Sequence, residues 1–317
     1  MLFALGSPLH ERIEGTTLRH RDLNRLCGLA RPLVLALGLG LLLRLLGHGI
    51  GGYRVKHPLE GSAAKVKRAS LHLETLHTEI RGFVKSEPKP YRFVSKVDVE
   101  TSRYLLRIVI EREPPIEWSL ITGDFVQNLR AALDYLVWQL VIANGREPSH
   151  RNAFPLFDGR PELGSQEART WSRMVRGVST DALDFIEYCQ PYRGGDGPGA
   201  HLLTALRELS NEDKHRTLLA AYSAIEANPG AMDFEVVGVR DVRSPVEGGK
   251  VYAGRPLNNY DLVLESPVVI TGPNPEVKLN GELPMDVGFG WKPVPLQGLR
   301  QMVQSVAEIV AACRNFV

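Results

Sequence analysis

Apolar residues recur at helical spacing in four long stretches of the chain. In each stretch they stand three or four positions apart, which places them on one face of an α-helix. The clearest stripe runs from Phe125 to Leu140, and Asn144-Gly145 follows as a helix end. The pattern predicts long helices at residues 63–84, 116–143, 200–227 and 295–316.

Short runs of β-branched and aromatic residues predict strands in two regions. Residues 91–111 hold two such runs around a polar turn, which predicts a hairpin, and residues 232–290 hold several more. The fold predicted is α+β: a helical bundle of about four long helices, with a β-hairpin insertion and a small antiparallel sheet in the C-terminal half. Because the last helix follows the strands, we expect residues 59–317 to form a single interleaved domain.

The first 58 residues differ from the rest in composition. They carry eight Lys/Arg and three Asp/Glu, a net charge of +5, and an uninterrupted apolar run of 11 residues at 33–43. A membrane helix needs about 20 apolar residues. Three interpretations stay open: a disordered leader, sequence upstream of the true start codon, and a membrane anchor at residues 33–52. We favour the first two over the anchor, so the expected location is cytoplasmic.

Charge and cysteine usage narrow the classes of partner and cofactor. The other 259 residues carry 30 Lys/Arg and 33 Asp/Glu, so the body gives no general attraction to a nucleic-acid backbone. We therefore expect no DNA binding, and RNA contacts only where cations cluster locally. Three widely spaced cysteines fit a reducing compartment. His72 and His77 stand five positions apart and do not share a helix face, so we expect no metal and no other cofactor.

Two helical segments contain polar residues that are candidates for catalysis or ligand binding. In Asn128-Leu-Arg-Ala-Ala-Leu-Asp-Tyr135, Arg130 and Asp134 stand four positions apart at the edge of the apolar stripe. They form either a structural ion pair, or a phosphate site in which Arg130 is the cation and the Asp134 carboxylate holds it in place.

The second segment is Ser210-Asn-Glu-Asp-Lys-His-Arg216. Ser210 and Asp213 match a capping box, which predicts that the helix breaks and restarts there. Asn211 and His215 stand four positions apart and share a face. The alternatives are a solvated, capped turn with a structural histidine, and a catalytic histidine.

These segments resemble a group of bacterial proteins of unknown activity that share N-L-R-x-A-L-D-[HY] and L-x-N-x-D-K-H-R. A Q-P-Y element usually lies between the two motifs, here Gln190-Pro191-Tyr192, and the likeness covers roughly residues 60–225. More distantly, the segment from Asn211 to His215 is similar to the R-N-x-x-x-H motif of HEPN-superfamily ribonucleases. Ser210 stands at the arginine position of that motif, and Arg130 is the candidate replacement.

The HEPN resemblance implies a metal-independent endoribonuclease or RNA-related domain, and a homodimer. His215 would be the general acid and base, Arg130 would stabilise the transition state, and Asn211 would orient the phosphate or the imidazole. The supporting residues would be Asp134, Asp213, Lys214, Arg216 and Asn128. The alternative is a non-enzymatic helical-bundle module for interaction or dimerisation, in which Arg130, Asp134, Asp213 and His215 form a buried polar network.

Overall fold

The longest helix, Ile116–Ala143, lies at the centre of the core. The computed structural model describes residues 57–193, 200–224, 233–240, 249–253, 255–280 and 285–317, all within one unit that spans residues 55–317. The α-helices in these ranges are α1 (Glu60–Val84), α2 (Ile116–Ala143), α3 (Gln166–Met174), α4 (Thr180–Tyr188), α5 (Ala200–Asp213) and α6 (Leu296–Ala312). Two 3-10 turns, Pro191–Arg193 and Cys313–Phe316, follow α4 and α6.

Antiparallel strands form several small sheets beside the helices. The strands are β1 (Tyr91–Asp98), β2 (Arg103–Ile110), β3 (Ala220–Ala224), β4 (Asp233–Val237), β5 (Val239–Arg240), β6 (Lys250–Val251), β7 (Leu262–Pro267), β8 (Val269–Ile270), β9 (Glu276–Asn280), β10 (Met285–Phe289) and β11 (Val294–Pro295). One sheet has the order β1-β2-β7-β6 and another β11-β10-β3, while β4 pairs with β9 and β5 with β8. In the first sheet, Tyr91 of β1 faces Ile110 of β2.

The core is built where α1, α2, α5 and α6 pack on one another. The apolar stripe of α2 is fully buried, and Leu76 of α1 and Leu299 of α6 are 0% exposed. Burial of each such side chain stabilises the folded state by about 1.5–3 kcal/mol. Helices from both ends of the described unit therefore share one core.

The predicted bundle of four long helices is wrong, although the mixed α+β composition holds. The helix predicted at 200–227 ends at Asp213, and the same stretch continues into strand β3. Tyr222 pairs with Val287 of β10, and its buried hydroxyl donates to the carbonyl of Arg112 at 2.9 Å. Pairing with a strand distant in sequence thus overrides the local helical pattern.

The hairpin is also not an insertion separate from the later strands. Strand β7 pairs with β2, with Leu106 facing Leu264, and β6 extends the same sheet. The segment from 145 to 176, for which the sequence predicted neither a helix nor a strand, contains α3. Ser165 caps that helix by accepting a hydrogen bond from the Ala168 N–H at 3.0 Å.

The leader predicted at residues 1–58 and the anchor considered at residues 33–52 lie outside the described residues, apart from residues 57 and 58. Within the described ranges, none of the helices has both the length and the apolar character needed to cross a bilayer.

Candidate functional site

A cleft of about 620 Å³ lies among α2, α5, α3 and the segment 156–162. One set of lining residues comes from α2, α5 and the turn after α5: Arg130, Arg207, Ser210, Asn211 and Lys214. The cleft thus joins residues from both sequence motifs. A cleft of this size is in the range of small-molecule sites.

One terminal nitrogen of Arg130 is held by hydrogen bonds, whereas the other has no partner among the described residues. Its Nη2 donates to the Phe154 carbonyl at 3.2 Å and lies 3.5 Å from Asp134 Oδ1, which accepts the Phe154 N–H at 2.9 Å. The Arg130 side chain is only 16% exposed, yet its buried Nη1 has no hydrogen-bond partner among the described residues. Burial lowers the pKa of Arg130 from its ordinary value, while Asp134 acts to raise it.

Helix α5 supplies a polar face to the cleft. Arg207, Ser210 and Asn211 follow the i, i+3, i+4 spacing of one helix face, and Lys214 follows in the turn directly after α5. Ser210 is 2% exposed, and its Oγ has no partner in the described part of the chain. The same is true of the buried Nε of Arg207, while Nη2 of Arg207 is paired with Asp158. Three residues that line one cleft therefore each carry a buried polar atom without a partner among the described residues.

The segment 154–157 owes its position to Gln190 of the Q-P-Y element. This side chain is 0% exposed; its Nε2 donates to the carbonyls of Pro155 and Ile186, each at 2.9 Å. Its Oε1 accepts the Phe157 N–H at 3.4 Å. Gln190 and the Arg130–Asp134 pair thus hold the same short segment from two sides.

The residues that line the cleft carry one more positive than negative charge. Four cationic side chains, Arg130, Arg160, Arg207 and Lys214, face three carboxylates, Asp158, Glu162 and Glu167. Arg160 also lies 3.6 Å from Glu187, which accepts the Tyr192 hydroxyl at 2.6 Å. Because Arg130 is the cation least exposed to water, its charge is screened least.

The structure brings together only part of the predicted site. Arg130, Asn211 and Lys214 line the cleft, and Asp134 supports Arg130 as expected for a positioning residue. His215 is exposed in the turn after α5, and no histidine is found among the described residues that line the cleft.

The remaining predicted residues have other contacts. Asn128 accepts from Lys65 Nζ at 3.3 Å and donates to the Asp124 carbonyl, so it connects α2 to α1. Arg216 lies 3.5 Å from Glu212, and its guanidinium is 5.8 Å from the centre of the Trp291 ring. Neither residue lines the cleft.

The capping box predicted at Ser210 and Asp213 is not formed. Both residues lie in the last turn of a continuous α5, so no helix begins there. Asp213 instead contacts α2, where Oδ2 accepts a hydrogen bond from Gln127 at 3.1 Å. Asp213, whose side chain could cap a helix start, here contributes to the packing of α5 on α2.

Sequence reasoning missed Arg207 as a site residue and gave Ser210 a capping role. The spacing of Arg207 with Ser210 and Lys214 on one face was the available indication. The pairing of Arg207 with Asp158, 49 positions earlier, could not be derived from local pattern.

No protein-family model matches the sequence, and neither a curated protein nor a solved structure shows a significant match to it. Within the described ranges, no group of three or more His, Cys, Asp or Glu side chains is placed to hold a metal ion.

Proposed function

We propose that the protein binds a ligand through an anionic group, most simply a phosphate, in the cleft between α2 and α5. One observation carries the proposal: Arg130, Arg207 and Ser210 line the same cleft, and each has a buried polar atom (Nη1, Nε and Oγ) that lacks a partner among the described residues.

Unsatisfied buried polar atoms are costly, which is why they point to a ligand. A buried donor without an acceptor costs about 1–3 kcal/mol, and a charged donor costs more. A phosphate offers several acceptor oxygens at once, and guanidinium groups match its geometry. Bound phosphate would accept from both arginines and from the Ser210 hydroxyl, while Asn211 and Lys214 also line the cleft.

The non-enzymatic network predicted from the sequence explains only part of this arrangement. Arg130 and Asp134 do clamp the Phe154 backbone, which is a structural role. His215, however, is exposed rather than buried. A purely structural pair would not require free donor atoms on Arg130 and Arg207 at one cleft.

The direct test is calorimetric titration of the full chain with inorganic phosphate. We expect saturable binding, and a rise in dissociation constant of about tenfold or more in Arg130→Gln and Arg207→Gln, since a hydrogen bond to a charged group contributes about 1.5–3 kcal/mol. Arg92→Gln is the matched control, because Arg92 pairs with Glu111 on the exposed hairpin. Absence of phosphate binding to the parent, or equal weakening in the control, would refute the proposal.

RNA cleavage is the second candidate function. The observation that favours it is the meeting of Arg130, Asn211 and Lys214 in one cleft, with His215 next along the chain. The reaction would use the RNA 2′-OH as nucleophile. Because His215 and Arg216 do not line the cleft, they would act as general acid and base and as a phosphate contact only on RNA that extends from the cleft to the turn after α5.

Cleavage assays in EDTA test this second candidate. We expect the parent to cleave RNA without metal, and His215→Ala and Arg130→Ala to lose cleavage while circular dichroism shows that both stay folded. A parent that binds phosphate but leaves RNA intact would eliminate the nuclease and keep the anion site.

A further inference from the structure

The cleft has an apolar wall in addition to its cationic one. Its residues are Leu156, Phe157, Pro161 and Met174, from the segment 156–162 and the end of α3, which also contribute Asp158, Glu162 and Glu167 to the cleft. The cations Arg130 and Arg207 come from α2 and α5, and Lys214 comes from the turn after α5. Leu156 is 8% exposed, and Phe157, Pro161 and Met174 are half-buried. The cleft thus offers apolar surface beside its cationic side chains.

The apolar wall is held in place before any ligand binds. Gln190 fixes the backbone on both sides of Leu156, and the Phe157 ring contacts the Trp171 ring of α3 with centroids 5.9 Å apart. A wall whose backbone and ring are already fixed loses little conformational entropy on binding. It can therefore contribute to affinity rather than merely close the cleft.

The size of the cleft and its carboxylates limit what the rest of the ligand can be. Inorganic phosphate would fill only a small fraction of about 620 Å³. Asp158, Glu162 and Glu167 also line the cleft, and they would repel further negative charges on the same ligand. These constraints favour one anionic group joined to an uncharged body over a polyanion.

We infer that the ligand is a small phosphate monoester whose other part is an apolar ring or chain. The inference rests on the proposed function, since it assigns the phosphate to Arg130, Arg207 and Ser210. The apolar part packs on Phe157, Leu156 and Met174, so these residues set the preference among phosphate esters. Phe157 is the specificity residue, because its ring offers a flat face for an aromatic body.

Titration with three probes separates this inference from the proposed function. The probes are inorganic phosphate, methyl phosphate and phenyl phosphate, each added to the full chain in a calorimeter. We expect phenyl phosphate to bind about tenfold or more tightly than methyl phosphate, because its ring buries apolar surface that the methyl group lacks. Phenol, which lacks the phosphate, should not bind measurably.

Variants then assign the preference to the apolar wall. Phe157→Ala and Met174→Ala should each reduce the advantage of phenyl over methyl phosphate, so that the two esters bind with more nearly equal affinity. Arg207→Gln should weaken both esters alike and keep their ratio. Tyr260→Ala is the matched control, because Tyr260 is 57% exposed and does not line the cleft.

The outcomes distinguish two kinds of failure. If none of the phosphate probes binds, the proposed function is refuted, and so is this inference. If the parent binds all three with similar affinity, the anion site stands and the apolar specificity is refuted. The parent ratio alone decides this second point, so the test holds even if the Phe157 variant fails to fold.

Discussion

Asp286 is a carboxylate in an environment that disfavours its charge. It lies half-buried in β10, and its Oδ1 accepts the Val287 N–H at 2.8 Å. Burial is the largest influence and raises the pKa of Asp286, while hydrogen bonds from the Val287 and Leu296 backbone and the charge of Arg300 partly lower it. The folded state therefore holds this proton more tightly than the unfolded chain does.

Asp286→Asn should make the free energy of unfolding less sensitive to pH. A carboxyl group with a raised folded pKa stabilises the fold below its unfolded pKa, ordinarily 3.8, and that stability is lost as pH rises through the folded pKa. The stability of Asp286→Asn relative to the parent should thus increase with pH across this range. One proton limits the slope to about 1.4 kcal/mol per pH unit.

Urea denaturation of both proteins between pH 4 and 7 measures this difference. Asp98→Asn provides a control of opposite sign, because hydrogen bonds, the largest from the Thr101 side chain, lower the pKa of Asp98. Its relative stability should fall as pH rises toward the ordinary pKa of 3.8 and stay level above it, so this control is also measured from about pH 2 to 4. A stability difference for Asp286→Asn that stays flat, or falls, with rising pH would show that burial does not govern this group.

At the scale of single residues, sequence could indicate which polar side chains matter but not which ones meet. Arg130, Asn211 and Lys214 were candidates by motif, and they do line one cleft. His215 was placed beside Asn211 by assuming a helix that continued past Asp213. Because α5 ends there, the i, i+4 relation no longer applies, and His215 lies in an exposed turn.

At the scale of elements, packing between α2 and α5 depends on a position without a side chain. A Cβ built on Gly123 of α2 would lie 2.4 Å from Asp213 Oδ1 and 3.1 Å from its Cγ. The glycine therefore leaves room for a carboxylate from the last turn of α5. Helix propensity alone would favour alanine there by about 1 kcal/mol.

Gly123→Ala should destabilise the protein by about 1 kcal/mol, because overpacking costs about 1–3 kcal/mol and exceeds the gain in helix propensity. In an Asp213→Ala background the obstacle is absent, and the same change should stabilise by up to about 1 kcal/mol. Urea denaturation of the four proteins in this cycle measures the reversal of sign.

Gly82→Ala in α1 is the control for helix propensity, because its Cβ would have no heavy atom within 4 Å. It should stabilise the protein in either background. Equal effects of Gly123→Ala with and without the Asp213 carboxylate would mean that the two helices do not meet at this point.

The elements themselves were predictable where local pattern and final packing agree. Helix α2 occupies residues 116–143, the span its long apolar stripe indicates. Helix α3 was missed because its nine residues bury none of their side chains fully, although Ser165 as its cap was a local indication. Strand β3 was read as helix because its partner, β10, lies about 60 residues further along the chain.

At the scale of the whole molecule, the last helix joins the ends of the described unit. Helix α6 packs on α1, α2 and α5, and it buries Leu299 and Val306 completely. The sheet that includes β7 is connected to the same core through β2, whose Leu106 and Ile108 are buried. A loss of packing at α6 should therefore lower the protection from hydrogen exchange in distant elements, unless the unit unfolds in independent parts.

Leu299→Ala should lower the free energy of global opening by about 2–5 kcal/mol, the usual cost of truncating a fully buried leucine. Hydrogen exchange measured by mass spectrometry should show the same loss of protection in α1, α2 and β7, because one cooperative core includes all three. Leu71→Ala, at a leucine that is 45% exposed, should change exchange little. Faster exchange confined to α6 would instead show that this helix opens alone, and that the interleaving of N- and C-terminal elements does not couple their stability.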